Sequence, residues 1–354
     1  MRRRKVKGGF IKQSTSWIIA AFSATAIMTS AIYVVYFKEP PREEAKLSVG
    51  RAEGAIADLA NKRRNEPIIP VAKPANLDAG KVALGRALFH DPRLSKGDAV
   101  SCAFCHDLVR GGVDGLPKSF GVEGRTGDIN APSVYNASLS FRQFWDGRAR
   151  DLAEQVGGPI TNPLEMATSW EEILPKLNAD SETVEAFRAV YKSPPNEQNA
   201  IDAIVEFEKS LITPSRFDRW LFGDDTAMTE SELRGYELFV QHGCATCHQG
   251  KGIGGNLFQR FGVAREYYDG SRRIDKADLG RYNFTKREED RYVFKVPTLR
   301  NVALSAPYFH DASSETLYDA VSVMGSYQLG VSLPEDEVRD ITLFLRALTG
   351  EELQ

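Results

Sequence analysis

Ser101-Cys102-Ala103-Phe104-Cys105-His106 and Gly243-Cys244-Ala245-Thr246-Cys247-His248 each contain Cys-x-x-Cys-His, and together they use all four cysteines of the 354-residue chain. Two thiols three positions apart can each add to a vinyl group of one porphyrin, and the histidine that follows then ligates the iron. A thioredoxin-like redox pair or half of a zinc site would also use Cys-x-x-Cys. Neither motif sits at the strand-to-helix junction of a βαβ unit, however, and two complete copies by chance are rare. The pattern therefore reads as two covalently attached c-type haems, one on Cys102, Cys105 and His106 and one on Cys244, Cys247 and His248. Two irons in one chain imply electron transfer.

Upstream of the first motif, residues 17–37 carry no charged side chain. As a helix this stretch would be about 31 Å long, enough to cross a bilayer. Arg2, Arg3, Arg4, Lys5, Lys7 and Lys12 precede it. By the positive-inside rule this head stays cytoplasmic and the rest of the chain lies across the inner membrane, in the periplasm. Small residues at Ala24, Ala26 and Ala31 leave a cleavable signal peptide as the alternative, although the apolar run is long for one. Removing the six basic residues of 1–12 from the net charge of −3 leaves −9 for the remainder. An acidic body suits a basic redox partner but is equally a matter of solubility. No nucleic-acid partner is expected.

The chain divides into a head and anchor at 1–37, a charged tether at 38–66, a first haem domain at 67–215 and a second at 216–354. An internal repeat marks the two domains. Gly85-Arg86-Ala87-Leu88-Phe89 precedes the first motif and Gly235-Tyr236-Glu237-Leu238-Phe239 the second, so each motif follows a similar short helix. Thr229 with Glu232 forms a capping box that starts the second of these helices and turns Leu233 and Leu238 inward. Ser332 with Glu335 likewise caps a final helix. Its apolar face is Val338, Ile341, Leu345 and Leu348, and Gly350 ends it. Helical stretches are expected at 183–191 and 200–211. Gly111-Gly112, Gly157-Gly158-Pro159 and Thr161-Asn162-Pro163 mark long loops, which in compact domains are usually functional. No alternating strand pattern appears. The class is mainly α, two cytochrome c-like domains in tandem behind one transmembrane helix.

An iron with protein ligands on both faces passes electrons, whereas one with an open face can activate a small oxidant. Of the five methionines, Met1 and Met28 belong to the N-terminal segment. Met324 follows His248 and stands just before the terminal helix, where small cytochromes place an axial methionine. Such a ligand favours reduced iron and would make the second haem the high-potential one. A core methionine is the alternative.

The stretches Leu88-Phe89-His90-Asp91-Pro92-Arg93-Leu94-Ser95, Phe144-Trp145-Asp146-Gly147-Arg148, Gly158-Pro159-Ile160, Asn162-Pro163-Leu164-Glu165-Met166, Val296-Pro297-Thr298-Leu299-Arg300-Asn301-Val302 and Pro307-Tyr308-Phe309-His310-Asp311 resemble the bacterial dihaem cytochrome c peroxidases. The likeness runs from about Pro67 to the C-terminus, in the family's order and spacing. It implies that the first haem reduces hydrogen peroxide and that the second supplies electrons from a small periplasmic cytochrome c or a cupredoxin. It also implies that Gln155 and Glu165 line the peroxide face with Pro159, and that Trp145 relays electrons between the haems. A calcium ion between the domains is implied at Asn130, Ser305 and Pro307. Family members are commonly homodimers.

The chain departs from the family in one respect. Many members hold a displaceable histidine on the peroxide face, in the stretch here written Gly121-Val122-Glu123-Gly124. Val122 takes its place, and no histidine lies between His106 and His242. The first haem is therefore expected to be open at rest and to need no reductive activation. Met166 is the competitor for that face. If it ligated, the chain would be a non-enzymatic electron-transfer cytochrome. His90, His242 and His310 are more distant competitors. A MauG-like branch, which oxidises a partner protein and replaces the methionine with tyrosine, is a further alternative. Met324 argues against it, with Tyr327 nearby.

Overall fold

The computed structural model describes residues 64–354 except 269, 271 and 272. The basic head, the uncharged stretch and nearly all of the tether lie outside the described residues. No helix among those described is long and apolar enough to cross a membrane.

The described chain is mainly helical, and the pentapeptide repeat marks two close helix crossings. Gly85 lies in the Ala79–Phe89 helix, and a Cβ there would come 1.9 Å from the Ala203 carbonyl oxygen in the Glu197–Ser210 helix. Gly235 does the same in the Glu230–Gln241 helix, where a Cβ would come 2.0 Å from the Asp340 carbonyl oxygen in the Glu335–Ala347 helix. Only a residue without Cβ lets the backbones meet at that distance. Each crossing anchors a core. Leu84, Leu88, Ile173, Leu177, Phe187 and Ile204 pack in the first, and Phe217, Tyr236, Phe239, Val338, Ile341 and Phe344 in the second. Each such side chain, fully buried, contributes roughly 1.5–3 kcal/mol.

Thr229 and Glu232 make the expected capping box, with Leu233 and Leu238 packed against the second core. The expected stretches at 183–191 and 200–211 are the Ser181–Tyr191 and Glu197–Ser210 helices. Both ends of the last helix differ from expectation. It starts at Glu335 behind Pro334, with no side-chain cap from Ser332. Proline holds the chain in an extended entry, and Glu335, Asp336 and Glu337 place negative charge at the helix N-terminus. The helix ends at Ala347. Gly350 has φ −58° and is no left-handed terminator. Its N–H donates to Asn301 Oδ1 at 2.8 Å, and a Cβ there would sit 2.5 Å from that of Thr213. Close approach, not helix termination, requires this glycine.

Gly157-Gly158-Pro159, expected as loop, lies inside the Leu152–Thr161 helix, which is N-capped by Asp151. Pro159 has no N–H to give the Gln155 carbonyl, so the helix forgoes that bond and ends two residues later at Thr161. A Cβ on Gly158 would come 2.7 Å from the Phe144 ring, so the small residue lets the helix lie against that side chain. The missing strand pattern is explained by length. Phe258–Arg260 and Val293–Lys295 form an antiparallel pair of three residues each, too short to alternate visibly.

Residues 64–71 lie on the second core, although the sequence puts them in the tether and the start of the first domain. Ile68 is fully buried there, and Val71 N–H donates to Asp218 Oδ1 at 2.8 Å. The same carboxylate holds Arg300, with Nη1 2.7 Å from Oδ2 and Nη2 2.8 Å from Oδ1.

Candidate active site

Two cavities, of about 550 and 320 Å³, carry the chemistry. Both are of the size that holds a cofactor.

Cys102, Cys105 and His106 line the larger. The two cysteines begin and end a single helical turn, Cys102–Cys105, and so reach the same space. His106 follows it, and its Nδ1 lies 3.3 Å from the Gly112 carbonyl. That contact fixes the tautomer with Nε2 free for a metal. Burial lowers the His106 pKa, keeping the imidazole neutral as a ligand must be. Burial pushes the Cys102 thiol up to about 12 and Cys105 to about 11. That is the reverse of a reactive Cys-x-x-Cys pair.

Gln155, Pro159, Glu165 and Met166 line this same cavity. Gln155 and Pro159 stand one turn apart on the Leu152–Thr161 helix. Glu165 lies beyond it and accepts from Asn162 Nδ2 at 2.5 Å. Burial raises the Glu165 pKa, against the Asn162 hydrogen bond and the Arg148 guanidinium, which lower it. A carboxyl balanced this way can both take and return a proton. Val122 is 1% exposed in the first core, and its N–H donates to the Glu165 carbonyl at 2.8 Å. It helps hold the Glu165 loop rather than lining the cavity.

Cys244, Cys247, His248 and Met324 line the smaller cavity. His248 Nδ1 lies 3.4 Å from the Ile253 carbonyl, and burial takes its pKa down to about 4. Met324 opens a π-helical turn, Met324–Leu329, that follows the Leu317–Val323 helix. Such turns often mark functional positions. Tyr327 is absent from this lining. Its ring packs on Tyr267 with centroids 4.9 Å apart.

Trp145 lines both cavities. Asn130, Ser305 and Pro307 share the wall of the smaller one with it. Asn130 gives Nδ2 to the Leu116 carbonyl, and its own carbonyl accepts the Trp145 indole N–H.

The remaining histidines are engaged elsewhere. His90 Nδ1 lies 2.9 Å from the Arg86 carbonyl, His242 Nε2 is 2.7 Å from Glu337 and His310 Nε2 is 2.8 Å from Asp278. None of the three lines the larger cavity. Among the described residues, the cluster of potential metal-ligating side chains is Asp278, His310 and Asp311, of which His310 also lines the smaller cavity. Two thiols and one neutral imidazole facing one hollow fit haem c better than zinc, which takes four ligands.

Sequence reasoning missed Arg148, Asn162, Glu208 and Lys295. Arg148 and Asn162 stand inside recognised stretches, and their partners are what give them a role. Glu208 lines the larger cavity, is 5% exposed, and its Oε2 has no partner among the described residues. Nothing local in the sequence signals that.

A model of the di-haem cytochrome c peroxidase family matches residues 79–226. The chain is 50% identical over 298 residues to cytochrome c peroxidase Ccp of Escherichia coli (strain K12), across 84% of this chain and 64% of that protein. It therefore spans under two thirds of that relative's length. It is 46% identical to cytochrome c551 peroxidase of Nitrosomonas europaea, across 81% of this chain and 85% of that one. A solved MauG-like protein associated with microbial copper homeostasis superposes with TM-score 0.72 at 29% identity, covering 82% of this chain and 95% of that one.

Proposed function

The chain belongs to the di-haem cytochrome c peroxidase family, a family of haem enzymes, and we propose that it reduces hydrogen peroxide to water with electrons from a small periplasmic cytochrome c or cupredoxin. The observation that carries this is the division between the cavities. Glu165 and Gln155 line one, Met324 lines the other, and Trp145 lines both.

Haem c held by Cys102, Cys105 and His106 would supply the iron at which peroxide binds, and haem c on Cys244, Cys247, His248 and Met324 the route for electron entry. Glu165 takes the proton from the near peroxide oxygen and returns it to the departing one, so that water leaves in place of hydroxide. The Gln155 amide orients the peroxide, and Pro159 shapes the wall beside it. Trp145, shared by the two walls, passes the two electrons one at a time. Asn130 Oδ1 and the carbonyls of Ser305 and Pro307 hold calcium in this reading, because oxygen donors beside Trp145 suit a hard cation that fixes the wall.

The first haem is open at rest and needs no reductive activation. Support comes from the five histidines, of which His106 and no other lines the larger cavity. The N-terminal stretch anchors the protein to the inner membrane with the body in the periplasm. A MauG-like reaction is disfavoured because Met324, and not Tyr327, lines the second cavity.

The test is steady-state peroxide consumption with reduced cytochrome c, beside spin-state spectra of the oxidised and half-reduced protein. Turnover with a high-spin ferric signal in the oxidised form is expected. A wholly low-spin spectrum, with peroxide binding only after half-reduction, would sink the open-face reading. Failure of cyanide to bind either form would leave Met166 as the ligand and the chain as an electron carrier.

A further inference from the structure

Lys295 ends the Val293–Lys295 strand and lines the smaller cavity. Among the described residues its ammonium has no hydrogen-bond or ion-pair partner. Burial, with no anion to oppose it, pulls its pKa down to about 8. The other cations on this lining are spoken for. Arg300 is locked to Asp218, and Arg260 lies 3.6 Å from Glu266. Lys295 is half-buried, and an ammonium that lines a hollow without a counter-ion gives up part of its hydration for nothing in return. The fold therefore leaves one cation on this wall in want of a carboxylate.

Haem brings carboxylates of its own in its two propionates. We propose that Lys295 binds a propionate of the second haem, and that its backbone N–H, which donates to the Trp145 carbonyl at 2.8 Å, ties that haem edge to the relay tryptophan. The inference rests on the smaller cavity being the electron-entry haem site. It adds a positioning residue that also sets the potential there. A fixed cation beside the macrocycle favours the reduced state, and hydrogen bonding and charge around a haem are among the levers that move its potential. Swapping the ammonium for an apolar side chain removes that bias. Swapping it for a guanidinium keeps it.

The experiment uses haem-loaded protein, with covalent haem counted and the second haem's midpoint potential measured by spectroelectrochemical titration for wild type, Lys295→Met and Lys295→Arg. Lys295→Met should shift the second haem's one-electron equilibrium at least tenfold towards the oxidised form, about 59 mV. Lys295→Arg should keep the wild-type value, and the first haem should not move in either variant. Poor haem loading in Lys295→Met that Lys295→Arg restores would support the same contact. An unchanged potential in Lys295→Met, an equal fall in both variants, or haem loss in both overturns the proposal. Failure of the peroxidase reading is read separately, as absent peroxide turnover in wild type carrying two haems.

Discussion

The indole N–H of Trp145 donates to the carbonyl of Asn130 at 2.9 Å. Asn130 is itself held by its N–H on the His310 carbonyl, also at 2.9 Å, and the His310 ring meets the indole edge-on with centroids 6.2 Å apart. Trp145, one of the side chains that line both cavities, is therefore fixed at its ring nitrogen, and its carbonyl accepts from the Lys295 N–H. Trp145→Phe should leave a buried carbonyl unpaired and lower stability by about 1–3 kcal/mol. Donor-driven peroxide turnover should fall at least tenfold, while cyanide affinity of the first haem stays at the wild-type value. Stopped-flow and cyanide titration of the same sample check both parts. Unchanged turnover would mean that Trp145 is packing only.

Glu165→Gln keeps the shape of the site and removes the carboxyl proposed as the proton shuttle. Loss of a positioned acid–base group reduces kcat/KM by roughly 10²–10⁴. Burial raises the wild-type Glu165 pKa, so the base form is lost as pH falls through a value above the ordinary carboxylate range. The acid limb of the kcat/KM profile should lie correspondingly high in wild type and vanish in Glu165→Gln. A limb that survives the substitution assigns the proton step to another group.

Met324→Leu tests the electron inlet. The substitution conserves volume, so stability should change by less than about 1.5 kcal/mol. The methionine–iron charge-transfer band should disappear and the second haem's potential should fall. Retention of the band would pass the ligand role to another residue.

Glu208 gives the fold a pH dependence. Its carboxyl is pushed up to about 8 by burial alone, from an ordinary value of 4.5. The folded state thus holds a proton that the unfolded chain releases, and the sign follows. Stability from this group is fully present below 4.5 and is lost as pH rises through about 8, by at most about 1.4 kcal/mol per pH unit. Thermal melts of the haem-loaded protein between these limits should decline with pH in wild type. Glu208→Gln should flatten them, and parallel curves would show that an unseen partner satisfies the carboxyl.

Gly85→Ala and Gly235→Ala probe the two crossings. Each adds a methyl where a carbonyl oxygen stands about 2 Å away, so the helices must separate. Each should destabilise its half by about 1–3 kcal/mol or more. Urea unfolding checks this, with Gly97→Ala as a control for left-handed backbone in open space, since nothing lies within 4 Å of that site.

Much of this was legible because the signals are local. A Cys-x-x-Cys-His fits within one helical turn, so spacing alone brings both thiols and the imidazole to one porphyrin. The Gly-x-x-Leu-Phe repeat marked the helices, and the Thr229–Glu232 box marked where one begins. Where local rules compete, the reading failed. Gly157-Gly158-Pro159 reads as a loop, yet those residues form a helix pressed on Phe144. Ser332 looked like a cap, but Pro334 already fixes the entry to that helix. Residues 64–71 gave no hint that they pack on the far core.

By itself, then, the sequence determined two haem attachment points, a mainly helical duplicated body, and the absence of a local histidine beside His106. These depend on neighbours a few residues apart. Tertiary structure alone decided that Glu165 and Gln155 share a hollow with His106, that Met324 shares one with His248, and that Trp145 belongs to both. It also left Lys295 and Glu208 Oε2 lining those hollows without partners among the described residues, because whether a charge is paired depends on what the fold brings to it from distant segments.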